Sequence, residues 1–353
     1  MKTTHPVIIG IDTHKASHVA VAIDTQGTRL ATLSIPTNPK GYLELERWSQ
    51  SLGKVQAFGI EGTGSYGAGL SRSLLAHGHN VIEVTRPNRQ LRYTQGKTDS
   101  LDAEGAARSV LSGQATARPK TQTGSSEMIR HLKIAPDTVV KSRSQAMVTL
   151  KTLIINAPAD LRDALNHIRG KIALIWHVAA FRPGDIDNPL ASAKAAVRAL
   201  ARRWLWLHEE IIAHDKELER LVTERAPELM ASHGIATLTV AQMLILVGDD
   251  PTRIRSEAAF AKLCGVCPIP ASSGKTHRFR LNRGGNRQAN AALYRVAIVR
   301  MRSHEPTLAY VKKRTKDGKS KSEIIRCLKR YIVREIYSQL CVPKSSQIKA
   351  WRI

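Results

Sequence analysis

What most constrains this chain is where its first acids fall relative to its apolar runs. Val7-Ile8-Ile9-Gly10-Ile11-Asp12 is a short apolar run closed by an acid, and residues 54–60 form another, closed by Glu61. Between them lie strand-like runs at 19–23 and 29–35, the first followed by the turn Asp24-Thr25-Gln26-Gly27. Residues 7–35 therefore read as an antiparallel meander of three strands. A helix is expected over 38–52, with Asn38 as cap, Pro39 at its first position, and Leu43, Leu45 and Trp48 as candidate buried residues. A loop and helix over 62–77, a fifth strand over 80–84 and a helix from Thr98 or Asp99 to about Leu111 complete the pattern. Three strands, helix, strand, helix, strand, helix is the order of an α/β domain.

That order fits an RNase H-like domain, and it gives the acids a meaning. If the first and fourth strands are neighbours, Asp12 and Glu61 emerge at one sheet edge. Asp99 and Asp102 are three apart, so on a helix they share a face and can join that cluster. Four carboxylates so close would repel one another and desolvate badly. A hard divalent cation removes the conflict, so Mg²⁺ (or Mn²⁺) on oxygen ligands is expected. Such a metal polarises a phosphoryl oxygen and activates an attacking one. Asp24 and Glu83 are also strand-associated acids, and a structural role is expected for them.

Beyond residue 126 the pattern turns helical, with stretches at 128–155 and 159–179 and a break around Arg182-Pro183-Gly184-Asp185 and Asn188-Pro189. Leu190, Ala193, Val197, Leu200, Trp204, Leu207, Ile211, His214, Leu218 and Leu221 then step alternately by three and four. This heptad seam predicts a coiled coil that makes a homo-oligomer, a dimer or tetramer, against the plainer expectation of a helix packed on its own domain. Further helices are expected at 236–247, 287–301 and 323–340, and the lysine-rich stretch 312–321 reads as a mobile basic loop. The domains expected are an RNase H-like (RuvC-like) catalytic domain over 1–125, a helical linker and coiled coil over 126–227, and a mostly α domain over 228–353.

Charge separates the two ends of the chain. The protein carries 54 Lys plus Arg against 29 Asp plus Glu, a net +25. Residues 251–353 contain 24 basic and 5 acidic residues, or +19 of that total. A protein this basic needs a polyanion, and nucleic acid is the default. Aromatics make up 5% of the chain, too few for a broad base-stacking platform. No apolar run approaches the ~20 residues of a membrane helix, and the N-terminus does not read as a signal peptide. Four cysteines make no disulfide framework, so a reducing cytoplasm is the expected compartment.

Three blocks also carry a family resemblance. Ile9-Gly10-Ile11-Asp12-Thr13-His14-Lys15, Glu61-Gly62-Thr63-Gly64-Ser65-Tyr66 and Lys97-Thr98-Asp99-Ser100-Leu101-Asp102-Ala103 look like the signature blocks of the insertion-sequence-110 family of transposases, DEDD recombinases with a RuvC-like domain. The likeness extends to the Gly265 to Gly274 loop and the basic Arg278 to Asn290 stretch. It implies that Asp12, Glu61, Asp99 and Asp102 are the DEDD metal set. It also implies a nucleophilic serine in the second domain. Matching the Gly-x-x-Pro and Ser-Gly stretches places that serine at Ser273, with Ser272 as the adjacent competitor. The resemblance further implies double-stranded donor and target DNA, a structured non-coding guide RNA, and a bacterial, nucleoid-associated setting. One protomer's acidic site would be completed by Ser273 of another. Arg278, Arg280, Arg283 and Arg287 follow the serine loop and are candidate phosphate or RNA contacts. Two other functions fit the same residues: a nuclease or junction resolvase using water, and a non-enzymatic nucleic-acid-binding protein.

Overall fold

A computed structural model describes residues 5–85, 96 and 98–343. Lys97 of the third signature block and the last ten residues of the basic tail lie outside the described residues. The chain forms two compact units. One comprises Met1–Ser126, Leu246–Leu263 and Leu340–Ile353, the other Glu127–Ile245 and Cys264–Gln339.

The first unit is built on a five-stranded sheet of β1 (Pro6–Thr13), β2 (Ser17–Ile23), β3 (Arg29–Pro36), β4 (Lys54–Glu61) and β5 (Val81–Val84). Their order is β3-β2-β1-β4-β5. The first three strands form the expected antiparallel meander, and β1 then pairs in parallel with β4, and β4 with β5. Asp24 closes the β2–β3 turn by accepting from the Gln26 and Thr28 backbone N–H groups. Helix α1 (Pro39–Leu52) starts where Asn38 accepts from Gly41 N at 2.9 Å. Leu45 of this helix is buried and Trp48 packs against the core. Leu43 faces solvent, contrary to expectation, and Tyr42 takes the buried place. Helix α2 (Ala68–Ala76) precedes β5, and α3 (Asp99–Leu111) follows it with Thr98 as cap.

Strand β1 is almost wholly buried because both faces of the sheet are covered. Successive side chains alternate between those faces. Val7, Ile9 and Ile11 join Leu45, Leu70 and Leu74 in one core, whereas Ile8 joins Ala103 and Ala107 of α3 in another. Gly10 shares the Ile8 face, and a Cβ there would lie 2.0 Å from the Ala103 carbonyl oxygen. The small residues of α3 thus let the helix lie directly on β1. On β4, Gly59 faces the same helix, at Ala106 and Val110.

The discontinuous segment 246–263 is held to this unit by Arg253. Its buried guanidinium donates to the carbonyls of Arg118, Leu246 and Val247 and lies 3.8 Å from Glu83. Glu83 therefore has the structural role expected of it.

The second unit is helical: α4 (Ser125–Ile155, mostly in this unit), α5 (Ala159–Asn166), α6 (Lys171–Ala179), α7 (Pro189–Arg225), α8 (Pro227–Met230), α9 (Thr237–Val247, which runs into the first unit), α11 (Arg287–Ser303), α12 (Glu305–Lys316) and α13 (Lys321–Cys341). The short α10 (Glu257–Leu263) belongs to the first unit. The heptad seam lies on α7, but the chain itself covers it. Val197, Ala201 and Trp204 pack with Met147, Leu150 and Ile154 of α4 and with Ile175 and Val178 of α6, and Leu207 and Ile211 pack with Val139. The expected intermolecular coiled coil is therefore corrected to a helix packed on its own unit, because α4 presents apolar residues at matching spacing. The basic loop expected at 312–321 is also corrected. Residues up to Lys316 are helical, with Pro306 in the first turn and Lys313, Arg314 and Lys316 in the last, where they oppose the helix dipole. Among the described residues no helix is long and apolar enough to cross a membrane.

Candidate metal centre and serine hairpin

Asp12 is the penultimate residue of β1 and Glu61 the last of β4. The strands run parallel, and their register reaches Ile11 opposite Ile60. The next residues along are Asp12 and Glu61, so the two acids stand side by side at the carboxyl ends of adjacent strands. Here the strand order switches direction, the usual place for a site in an open α/β sheet. Thr13 Oγ1 donates to the Glu61 carbonyl at 2.8 Å and ties the two ends together.

Face parity then aims both acids. Asp12 is two residues beyond Gly10, and Glu61 two beyond Gly59, and both glycines meet α3. The acids accordingly belong to the α3 face, towards the helix's first turn. That turn carries Asp99 and Asp102, a position the helix dipole favours for acids. Asp102 is buried and Asp99 half-exposed. Burial pushes the Asp12 carboxyl up from its ordinary value. His14 opposes that shift, and the charges of Asp102 and Asp99 add to it. A carboxyl unsettled by burial and by like charge is one that a cation would return to the charged form.

The sequence reading gave no role to His14. It lies two residues past Asp12, where the backbone turns back as His14 N donates to Ser17 O. Its Nε2 stands 3.2 Å from Asp12 Oδ2 and 3.3 Å from Asp99 Oδ1. One donor atom from each of Asp12, His14 and Asp99 lies within 4.8 Å of the others. The donor set of carboxylate oxygens and an imidazole nitrogen fits a divalent cation.

Ser273 lies in the second unit, at the tip of a hairpin the sequence had shown only as a loop. Its strands are β6 (Ile269–Pro270) and β7 (Phe279–Arg280). Above them Ala271 N donates to Arg278 O, and Ser273 and Thr276 exchange both backbone hydrogen bonds. The two candidate serines differ. The Ser272 hydroxyl accepts from Arg278 N at 3.3 Å across the hairpin. Ser273 is exposed, and among the described residues its hydroxyl has no hydrogen-bond partner. Arg278, Arg280, Arg283 and Arg287 are all exposed on or beside this hairpin. Phe279 and Leu281 are also exposed, at 69% and 58%, and no periodicity in so short a strand had marked them.

Two family models match the chain: a DEDD transposase model over residues 9–155, and one described as the transposase IS116/IS110/IS902 family over residues 226–312. The chain belongs to the IS116/IS110/IS902 family of transposases. Among its relatives, the insertion element IS116 uncharacterized 44.8 kDa protein of Streptomyces clavuligerus is 24% identical, covering 96% of each chain. The insertion element IS900 uncharacterized 42 kDa protein of Mycobacterium paratuberculosis is 23% identical over 95% of this chain and 96% of its own. The insertion element IS110 uncharacterized 43.6 kDa protein of Streptomyces coelicolor is 27% identical over 41% of this chain and 36% of its own. The DEDD model covers all four acids, and the other covers the serine hairpin and its arginines. This transposase is thus matched over both of the regions described above.

Proposed function

We propose that this transposase cleaves and rejoins DNA strands through a covalent link to Ser273, with Asp12, Glu61, Asp99 and Asp102 as an RNase H-like divalent-metal set. The observation that carries the reading is the convergence of acids from two parallel strand ends and one helix N-terminus on a single face of the sheet. A bound Mg²⁺ or Mn²⁺ would neutralise the developing charge on a phosphoryl oxygen. Ser273 Oγ attacks phosphorus, one ester bond to a sugar oxygen breaks, and one ester bond to the serine forms. The serine proton leaves, and the departing sugar oxygen takes one up. The number of phosphodiester bonds is unchanged, so the reverse step rejoins strands without ATP. The exposed Ser273 hydroxyl suits a nucleophile better than the Ser272 hydroxyl, which is held by the Arg278 backbone.

The basic hairpin and helices contact donor and target DNA, and by the family resemblance a structured non-coding RNA directs the choice of site. RNA recovered with the protein from its host, with complementarity to both element ends, is the expected finding. A homo-oligomer remains part of the proposal on the family resemblance, held by surfaces other than the α7 seam.

The test is a strand-cleavage assay run on a denaturing gel. Ser273→Ala should abolish protein-linked DNA while retaining DNA binding, and Ser272→Ala should keep the linkage. Cleaved DNA with no protein attached, produced equally by Ser273→Ala, would instead establish water as the nucleophile.

A further inference from the structure

We infer that His14 is a nitrogen ligand of the metal site, biasing it away from Mg²⁺ and towards transition-series divalent ions such as Mn²⁺. This rests on the proposed metal reading of the acids and adds a residue and a selectivity to it. His14 Nε2 lies almost equally far from two carboxylate oxygens, at 3.2 and 3.3 Å, one on β1 and one on α3. A hydrogen bond would point the ring N–H along one of those oxygens. Nε2 is screened from solvent, yet it meets hydrogen-bond geometry with neither. Both spacings match those of ligands sharing an ion. Atoms about 2.1 Å from one cation stand about 3.0 Å apart at octahedral right angles and about 3.4 Å apart in a tetrahedron.

The backbone holds the ring there. His14 is the first residue beyond β1, and its ring reaches both Asp12 of that strand and Asp99 at the start of α3. The turn bond from His14 N to Ser17 O fixes the start of the return strand, and Thr37 Oγ1 donates to His14 O at 3.4 Å. Imidazole is a poorer partner for Mg²⁺, which prefers oxygen and retains water, than for the divalent ions of the first transition row, Mn²⁺ included. A nitrogen ligand would strengthen that preference beyond what carboxylates alone give.

The test is Mn²⁺ and Mg²⁺ binding to the full-length protein, with Mn²⁺ also read by pulsed electron paramagnetic resonance. Wild type should bind Mn²⁺ with a ¹⁴N modulation from a coordinated imidazole, a signal that needs no catalysis and no folded variant. In His14→Ala that modulation should vanish and Mn²⁺ affinity should fall about tenfold, with Mg²⁺ affinity changed by less than about twofold. Asp12→Asn should weaken both ions. Mn²⁺ uptake that depends on Asp12 but shows no nitrogen modulation, and is unchanged in His14→Ala, would overturn the ligand role while leaving the acid site standing. Wild-type protein that takes up neither ion would overturn both.

Discussion

Gly10 shows how a single residue positions the whole acidic site. Its missing side chain lets α3 approach β1 until the Ala103 carbonyl and the Ala107 amide lie 2.0 and 2.4 Å from where a Cβ would be. Neither neighbour is a flexible side chain, so Gly10→Ala must lift the helix. A destabilisation of about 2–3 kcal/mol is expected in urea denaturation. Strand cleavage should be lost disproportionately, because Asp99 and Asp102 move with the helix. Cleavage that followed stability alone would show the α3–β1 spacing to be unimportant to the chemistry. The carboxylates themselves were legible in the sequence because each ended an apolar run or began a helical one. His14 was not, because a lone imidazole beyond a strand end carries no pattern of its own, although it stands two residues from Asp12. The preference for Ser273 over Ser272 rests on hairpin hydrogen bonds between residues three and six apart, which no local pattern in the sequence displays.

His18 carries a pH effect of its own. It is fully buried and stacks on Tyr42, and burial lowers its value below the ordinary 6.5. The unfolded chain takes up a proton near pH 6.5, whereas the folded chain resists doing so. The stabilising contribution is therefore complete above about pH 6.5 and declines as pH falls towards the folded value. The slope from this one group cannot exceed about 1.4 kcal/mol per pH unit. His18→Phe should flatten the acid limb of a stability profile measured between about pH 5 and 7.5. An unchanged limb in that variant would mean that the imidazole gains its proton while folded.

At the scale of elements, periodicity gave the extent of α7 but not its partner. A heptad stripe states that one face is buried, and the same stripe serves a second copy or a neighbouring helix equally well. Here α4 brings Met147, Leu150 and Ile154 against Val197 and Trp204, and it does so without a second chain. Trp204 is 2% exposed and lies beneath the cations of Arg143 and Lys171. Trp204→Ala should cost about 3–5 kcal/mol with no change in oligomeric state by sedimentation. Dissociation of an oligomer at unchanged stability would restore the seam as an intermolecular one. The basic stretch at 312–321 shows a related ambiguity. A lysine-rich run with a glycine suits a mobile loop, but Pro306 in the first turn and cations in the last are also what a short helix favours. Arg253 marks a third limit. Its bond to the Arg118 carbonyl and its approach to Glu83 join segments far apart in the chain, and that kind of long-range pairing leaves no periodic trace.

Across the whole molecule, opposite charges gather in different parts of the chain. The acids converge at one edge of the first unit's sheet, while residues 251–353 hold +19 of the net +25. Phosphate contacts release counterions, so the logarithm of the binding constant for duplex DNA falls with the logarithm of salt by roughly 0.9 per contact. Diffuse surface charge and specific contacts both give a salt dependence, but they respond differently to local neutralisation. Replacing Arg278, Arg280, Arg283 and Arg287 together with Gln removes four charges clustered at the serine hairpin. If each holds a phosphate, the slope should fall by about 3.6, and binding at low salt should weaken uniformly across DNA sequences. A slope that falls by less than about one would place the phosphate contacts elsewhere on the basic C-terminal third, with α12 and its Lys312, Lys313 and Lys316 the next surface to neutralise. Since Ser273 sits at the tip of the same hairpin, the first outcome would also mean that the residues gripping the backbone are the ones that carry the proposed nucleophile to it.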